Sequence, residues 1–275
     1  MLPIQIGLTD VTGTIAVDEL AAAAAAFNIQ VTRDLAQFWN VSATVEYLPD
    51  HTKIPAGVWP VMLVKSLPPD EGGFHLTKHN QPYAKVAVGA GWSIAASHEI
   101  LEMSVDPGGN RLQVSTAIEI VSGKIRDTTG QFEYLVEVCD PCEAPDFGYE
   151  INGVAVSDFL TPSFYDATAT ASARYSFTGA LTAPRQIKPG GYISWVDAAA
   201  NEVQQLQYPD ANHPPVIKDL GAWSDARSLR SFVDSKSRPT VLLSETPKTH
   251  ALLKRSSAQR IMIAEFIAAR RSLYR

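Results

Sequence analysis

The sequence predicts an α+β fold. Three observations carry this: helical periodicity over residues 17–39, 92–105 and 249–274, β-type runs between the first two, and short β pieces broken by proline and glycine after Asp140-Pro141. The 275 residues are 45% hydrophobic and 19% charged, an ordinary globular mixture that excludes a disordered chain. Mean hydropathy is −0.04, and no stretch approaches about 18 uninterrupted apolar residues, so no membrane span is expected. No internal repeat is visible, which excludes solenoids and propellers.

Residues 17–39 begin with Asp18 and Glu19, run through six alanines, and then set Phe27, Val31, Leu35 and Phe38–Trp39 at helical spacing. The acidic start makes this a helix and not a secretory signal. Residues 42–48 alternate and 58–64 (VWPVMLV) are nearly all apolar, both typical of strands. Pro60 predicts an edge position or a bulge for the second. Residues 66–82 hold three prolines, two glycines, His75 and His79, which predicts a loop with solvated histidines. Residues 84–88 come next as a strand, expected at the sheet edge, and Gly89-Ala90-Gly91 breaks it. The next helix, 92–105, is stopped by Asp106-Pro107-Gly108-Gly109. Residues 114–121 read as β, Ser122-Gly123 as a turn, and 132–138 as a strand or short helix. Short β pieces are expected at 149–156, 174–177 and 192–196, and a final helix at 249–274.

A boundary near residue 205 is expected, with 1–205 as the main unit, β-rich from about 150, and 206–275 as an extension carrying a basic amphipathic helix. The net charge of −6 argues against a generic nucleic-acid binder. That charge is uneven: residues 248–275 carry +6 and the rest −12. The terminal helix is therefore expected to dock on the acidic body, on a second copy or on an acidic protein partner. Its aromatics, Phe266 and Tyr274, are too few for a nucleic-acid role. Cys139 and Cys142 cannot form a disulfide framework, and the default compartment is the cytoplasm.

The chemically informative segment is Ser97-His98-Glu99-Ile100-Leu101-Glu102, ending in Asp106-Pro107. His98 and Glu102, four apart, project from one helix face and can offer two ligands to one metal ion. Glu99 lies about 100° further round, placed to reach the attacking water rather than the ion. This matches the zinc-protease pattern H-E-x-x-H, with Glu102 at the second ligand position. Accidental matches to so short a pattern are common, usually on an exposed Glu-rich helix. Here the neighbours Ile94, Ala95, Ala96, Ile100, Leu101 and Met103 are apolar, so the polar groups need partners. A third ligand is expected from Glu137, with Asp140 holding His98 or the local turn or serving as an alternative ligand; Asp106, two turns beyond His98, is the rival.

Together, SHEILEMSVDP and EVCDPC resemble the helix S-H-E-x-x-E-x-x-x-D-P and later E-[IV]-x-D-x-C of zincin-like proteins, among them the EXORDIUM-like group and bacterial and phage relatives. The segments NIQVTRD (28–34) and FHLTKHNQPYAKV (74–86) are similar to the bacterial version. The resemblance covers about residues 25–195 and leaves the terminal helix unmatched. It implies a twisted mixed sheet, a helix behind it, and a metal cleft under the edge strand. It also implies His98, Glu102 and Glu137 as metal ligands and Glu99 as base.

One imidazole and two carboxylates neutralise a divalent cation and form a harder set than two histidines, so Mn²⁺ or Ca²⁺ compete with Zn²⁺. The expected function is a metal-dependent hydrolase, a peptidase acting on a peptide or protein. The alternative is a structural or interaction protein, such as a virion component, on a degenerate scaffold. The C-x-x-C of Cys139 and Cys142 lacks a second pair for zinc and reads as two packed thiols. Tyr134 and Tyr149 are further oxyanion donors to test. Gly72-Gly73 and Gly190-Gly191 are expected as turns and not phosphate loops.

Overall fold

A computed structural model describes residues 3–68, 72–170, 172–224, 228–237, 249, 251–255, 262 and 265. The fold is α+β. Its first sheet contains β1 (Ile4–Asp10), β2 (Ala43–Tyr47), β3 (Val58–Val64), β4 (Gly73–Lys78) and β5 (Gln81–Ala87) in the order β2-β1-β3-β5-β4. All neighbours run parallel except β4, which pairs antiparallel to β5 and forms the outer edge.

Helix α1 (Val17–Ile29) continues through a π-helical stretch, Gln30–Leu35, into α2 (Ala36–Trp39), matching the helix expected at 17–39. Helix α3 (Trp92–Val105) packs on β4 and β5, α1 packs on β1 and β2, and the two helices touch. Both therefore cover the same face of the sheet. A hairpin of β8 (Tyr149–Ile151) and β9 (Val154–Val156) covers the other side of α3. α3 is buried on all sides, with only Ala95 half-buried, so its polar residues Ser93, Ser97, His98, Glu99, Glu102 and Ser104 are enclosed with its apolar ones instead of facing solvent.

The second sheet is antiparallel, in the order β12-β11-β10-β7-β6. It contains β6 (Leu112–Val121), β7 (Lys124–Leu135), β10 (Tyr192–Asp197), β11 (Glu202–Gln207) and β12 (Val216–Gly221). β6 and β7 turn at Ser122-Gly123, both at positive φ (51° and 73°), as a two-residue hairpin requires. Helix α4 (Leu229–Lys236) buries Leu229, Phe232 and Val233 against Leu135, Val203 and Leu220.

Several expectations need correction. Residues 84–88 are not at the edge, because β5 is paired on both sides; the edge is β4. β3 is likewise interior, but its pairing with β5 starts only at Val61, so Pro60 faces β1 alone and removes no bond of the β3–β5 ladder. The loop expected at 66–82 contains β4, whose hairpin turn is His79-Asn80 at φ 51° and 60°. Residues 174–177 form only an isolated bridge, Leu160 with Ser176. Residue 205 lies inside β11, and the chain beyond it is not peripheral, since Arg230 of α4 reaches Glu102 of α3. β11 is hard to read from sequence because its buried Gln205 and Gln207 look like surface residues. Their amides instead donate to Ser194 Oγ and Ser237 Oγ at 3.0 and 2.7 Å.

Of the terminal helix expected at 249–274, the described residues 249, 251–255, 262 and 265 are helical, and the rest lies outside the described residues. Its first turns dock on the body, with Leu252 buried against Ile94 of α3 and Ala155 of β9. Leu252→Ala should cost about 2–4 kcal/mol in a denaturant titration, the usual penalty for truncating a core leucine; no change would mean that this docking adds nothing to stability. Among the described residues, no helix is long and apolar enough to cross a membrane.

Candidate metal centre

Three pieces of chain converge beneath the edge strand. The first is α3, which presents His98, Glu99 and Glu102 towards β4 and the segment after β7. The second is that segment, where Val136 and Val138 are buried and a single 3-10 turn, Asp140–Cys142, directs Asp140 inward. The third is α4, which supplies Arg230.

His98 Nε2 lies 3.2 Å from Glu102 Oε2 and 3.2 Å from Asp140 Oδ1. Donors around one tetrahedral ion at about 2.0–2.1 Å would stand about 3.3 Å apart, so these spacings suit a shared cation. Glu137 Oε1, Glu143 Oε1 and His75 Nε2 make no hydrogen bond despite their burial. Buried polar atoms are normally paired, so this concentration of unpartnered ligand atoms fits a metal centre. His98, Asp140 and Glu143 form one group of donors within 4.8 Å of one another, and Glu102, Glu137 and Asp140 form another. The residues present thus fit a divalent ion.

Glu102 is the hub. It is fully buried, and its Oε1 accepts the backbone N–H of Cys139 at 3.1 Å. Its Oε2 accepts from Arg230 Nη1 at 2.9 Å. Burial opposes its charge, but His98 and Arg230 outweigh that and hold the carboxyl well below its ordinary range. For His98, too, burial opposes charge, and the carboxylates of Glu102 and Asp140 prevail, raising it well above the usual imidazole range. Asp140 is pushed up to about 7 by burial and then by the charge of Glu102. Burial raises Glu137 against the pull of Arg230, and it raises Glu143 together with the charge of Asp140.

The structure places Asp140, not Glu137, against His98. Glu137, expected as third ligand, shares a group of donors with Glu102 and Asp140, while Asp140, expected to hold His98 or the local turn or to serve as an alternative ligand, is the carboxylate beside His98. The reason is Arg230, whose Nη1 donates to Glu137 Oε2 as well as to Glu102 and draws Glu137 to the far side of the cluster. Asp106 stays out of the cluster; its Oδ2 accepts the N–H of Arg111 at 2.7 Å and closes the turn after α3.

Glu99 faces β4. Its Oε2 lies 3.1 Å from His75 Nδ1, and it forms a group with His75 and Glu102 within 4.8 Å. His75, expected in a solvated loop, is 1% exposed, because β4 turns alternate residues inward; His79 in the turn is exposed. Gly73 passes so close that a Cβ there would stand 2.9 Å from Glu99 Oε1, so the edge strand lies directly on the carboxylate. Gly191 serves a similar close approach, at 2.7 Å from the Asp140 carbonyl oxygen, and is no simple turn.

The remaining candidates are occupied elsewhere. The Tyr134 hydroxyl donates to Thr116 O and that of Tyr149 to Asp34 Oδ2. Cys139 and Cys142 are free, and burial pushes both thiols well above their ordinary range. Cys139 Sγ does fall within 4.8 Å of His98 and Glu102 donors, which makes it a further candidate donor. Arg230 is the functional residue that sequence reasoning misses. The only local signal is a serine cap, Ser228, before Leu229, Phe232 and Val233 at helical spacing. Comparison with family models, curated proteins and solved structures finds no match to this chain.

Proposed function

We propose that this protein is a metal-dependent hydrolase of the zincin-like kind, most simply a peptidase, with His98, Glu102 and Asp140 holding one divalent ion and Glu99 as general base. The observation that carries this reading is the placement of His98 Nε2 at 3.2 Å from both carboxylates, with Glu99 alongside. The ion, Zn²⁺ by the pattern and Mn²⁺ or Ca²⁺ by the hardness of the ligands, supplies Lewis acidity and a polarised water when bound. Glu99 would take a proton from the attacking water and return it to the leaving group, while His75 and the close approach of Gly73 fix the position of its carboxylate. The mixed sheet, the helix behind it and the edge strand over the cluster support the zincin-like assignment. Peptide addition along β5 is excluded by its double pairing, so an extended substrate would have to use β4. The free thiols Cys139 and Cys142 suit a cytoplasmic site of action.

Incubation with a quenched peptide library tests the activity: cleavage abolished by chelator and restored by metal is expected, and chelator-resistant cleavage counts against it. The pH dependence of ion binding is a second test. Asp140 and His98 are both shifted upward, so an ion must displace protons from them near neutrality. The rise in Tm produced by added metal should therefore grow between about pH 6 and about pH 8. A rise that is flat or shrinks over that window would remove these two residues from the ligand set.

One observation favours the second reading, a structural or interaction protein on a degenerate scaffold. Every donor is buried, and His98, the most exposed of the proposed ligands, is 9% exposed. A structural ion needs no opening to substrate. In that reading the partner-facing element is the terminal helix, whose later residues lie outside the described ones.

A further inference from the structure

We propose that the guanidinium of Arg230 occupies a second cation position of the cluster, framed by Glu102, Glu137 and Asp140, so that the chain holds one divalent ion where its carboxylates could hold two. This inference rests on the reading that the His98 side of the cluster binds metal.

Five buried carboxylates meet here: Glu99, Glu102, Glu137, Asp140 and Glu143. Among the described residues, the permanently charged side chain paired with them is Arg230. Oxygens of Glu102, Glu137 and Asp140 lie within 4.8 Å of one another, close enough to share an ion. Arg230 Nη1 lies among them, 2.9 Å from Glu102 Oε2 and hydrogen-bonded to Glu137 Oε2. It does not satisfy the frame, because Glu137 Oε1 remains without a partner on a residue that is 6% exposed, and Asp140 Oδ1 meets His98 Nε2 at 3.2 Å rather than the arginine. An all-oxygen frame of this kind suits a hard cation, and carboxylates shared between two ions about 3.5–4 Å apart are the usual form of a dinuclear centre. Glu102 and Asp140 would be the shared pair.

The arginine is held there by construction. The N–H of Arg230 donates to Gly109 O at 3.0 Å, and the N–H of Leu229 donates to Asn110 Oδ1 at 2.8 Å. Gly109 sits at φ +62°, and a Cβ there would stand 2.8 Å from Arg230 Cβ. The turn that ends α3 is thus shaped to seat α4, and any side chain at 109 pushes the helix and its guanidinium away. Gly109→Ala therefore disturbs the arginine without touching a ligand.

The test uses the full chain, dialysed against Mn²⁺, with manganese counted by elemental analysis and Tm measured in Mn²⁺ and in chelator. Wild type and Arg230→Lys should hold one ion, and Arg230→Met should hold two. Gly109→Ala should move in the same direction as Arg230→Met. The methionine variant should melt below wild type in chelator and gain more from Mn²⁺, because the ion replaces the lost charge. A methionine variant that folds only with Mn²⁺ supports the proposal, and one that stays unfolded at every Mn²⁺ concentration overturns it. An unchanged count of one in Arg230→Met overturns the second position and leaves the first. A wild type without manganese beside an Arg230→Met variant that holds one ion overturns the first and keeps the second. No ion in any variant overturns both.

Discussion

Glu102→Ala is expected to lower the melting temperature by on the order of 10 °C and to abolish divalent ion binding. The carboxylate is fully buried and bonded to the Cys139 N–H and to Arg230, with His98 beside it. Removing the carboxylate leaves the buried Cys139 N–H and one hydrogen bond of the Arg230 guanidinium unmade and opens a cavity, at a combined cost of about 3–5 kcal/mol. For a chain of this size each kcal/mol shifts Tm by about 2–4 °C. Glu102→Gln keeps the volume and an oxygen for the Cys139 N–H, so it should lose the ion with a smaller loss of stability. A Glu102→Ala protein that melts within about 2 °C of wild type would mean that Glu102 is not the hub of the cluster.

Glu99→Gln is expected to separate binding from chemistry. The amide keeps the shape that Gly73 and His75 pack against but cannot accept a proton, so ion content and Tm should stay as in wild type. Hydrolysis should fall by about 10²–10⁴-fold, the usual contribution of a positioned general base. If the variant loses its ion, Glu99 is a ligand, and the group it forms with His75 and Glu102 becomes the primary site. If a validated substrate is cleaved at the wild-type rate, Glu99 takes no part in the reaction.

The parts of the molecule legible in the sequence are those where local pattern and tertiary role agree. Helix α3 is legible to its ends because Gly91 opens it, Asp106-Pro107 closes it, and its apolar surroundings mark His98, Glu99 and Glu102 as groups in need of partners. Strand β6 and the turn at Ser122-Gly123 are legible, but the first half of β7 is not, because its mostly exposed polar residues carry no strand pattern, and 132–138 read only as a strand or short helix. Edge strand β4 is not, because Gly73, His75 and Lys78 among nearby prolines look like a loop; only the burial of His75 against Glu99 shows why a histidine stands there. The choice between Glu137 and Asp140 is also out of reach. They lie three residues apart, and their directions depend on the 3-10 turn at Asp140–Cys142 and on a guanidinium from more than ninety residues further along. Arg230 carries no local mark of its role, since a buried arginine and an exposed one look alike in a short amphipathic helix.

The most direct test of the metal centre is the ion content of the purified full-length chain after dialysis against Zn²⁺ or Mn²⁺ and then buffer, with His98→Ala beside wild type. The prediction is one divalent ion per wild-type chain and none in His98→Ala. A wild-type chain that retains no ion under either metal, or a His98→Ala chain that retains as much as wild type, contradicts it.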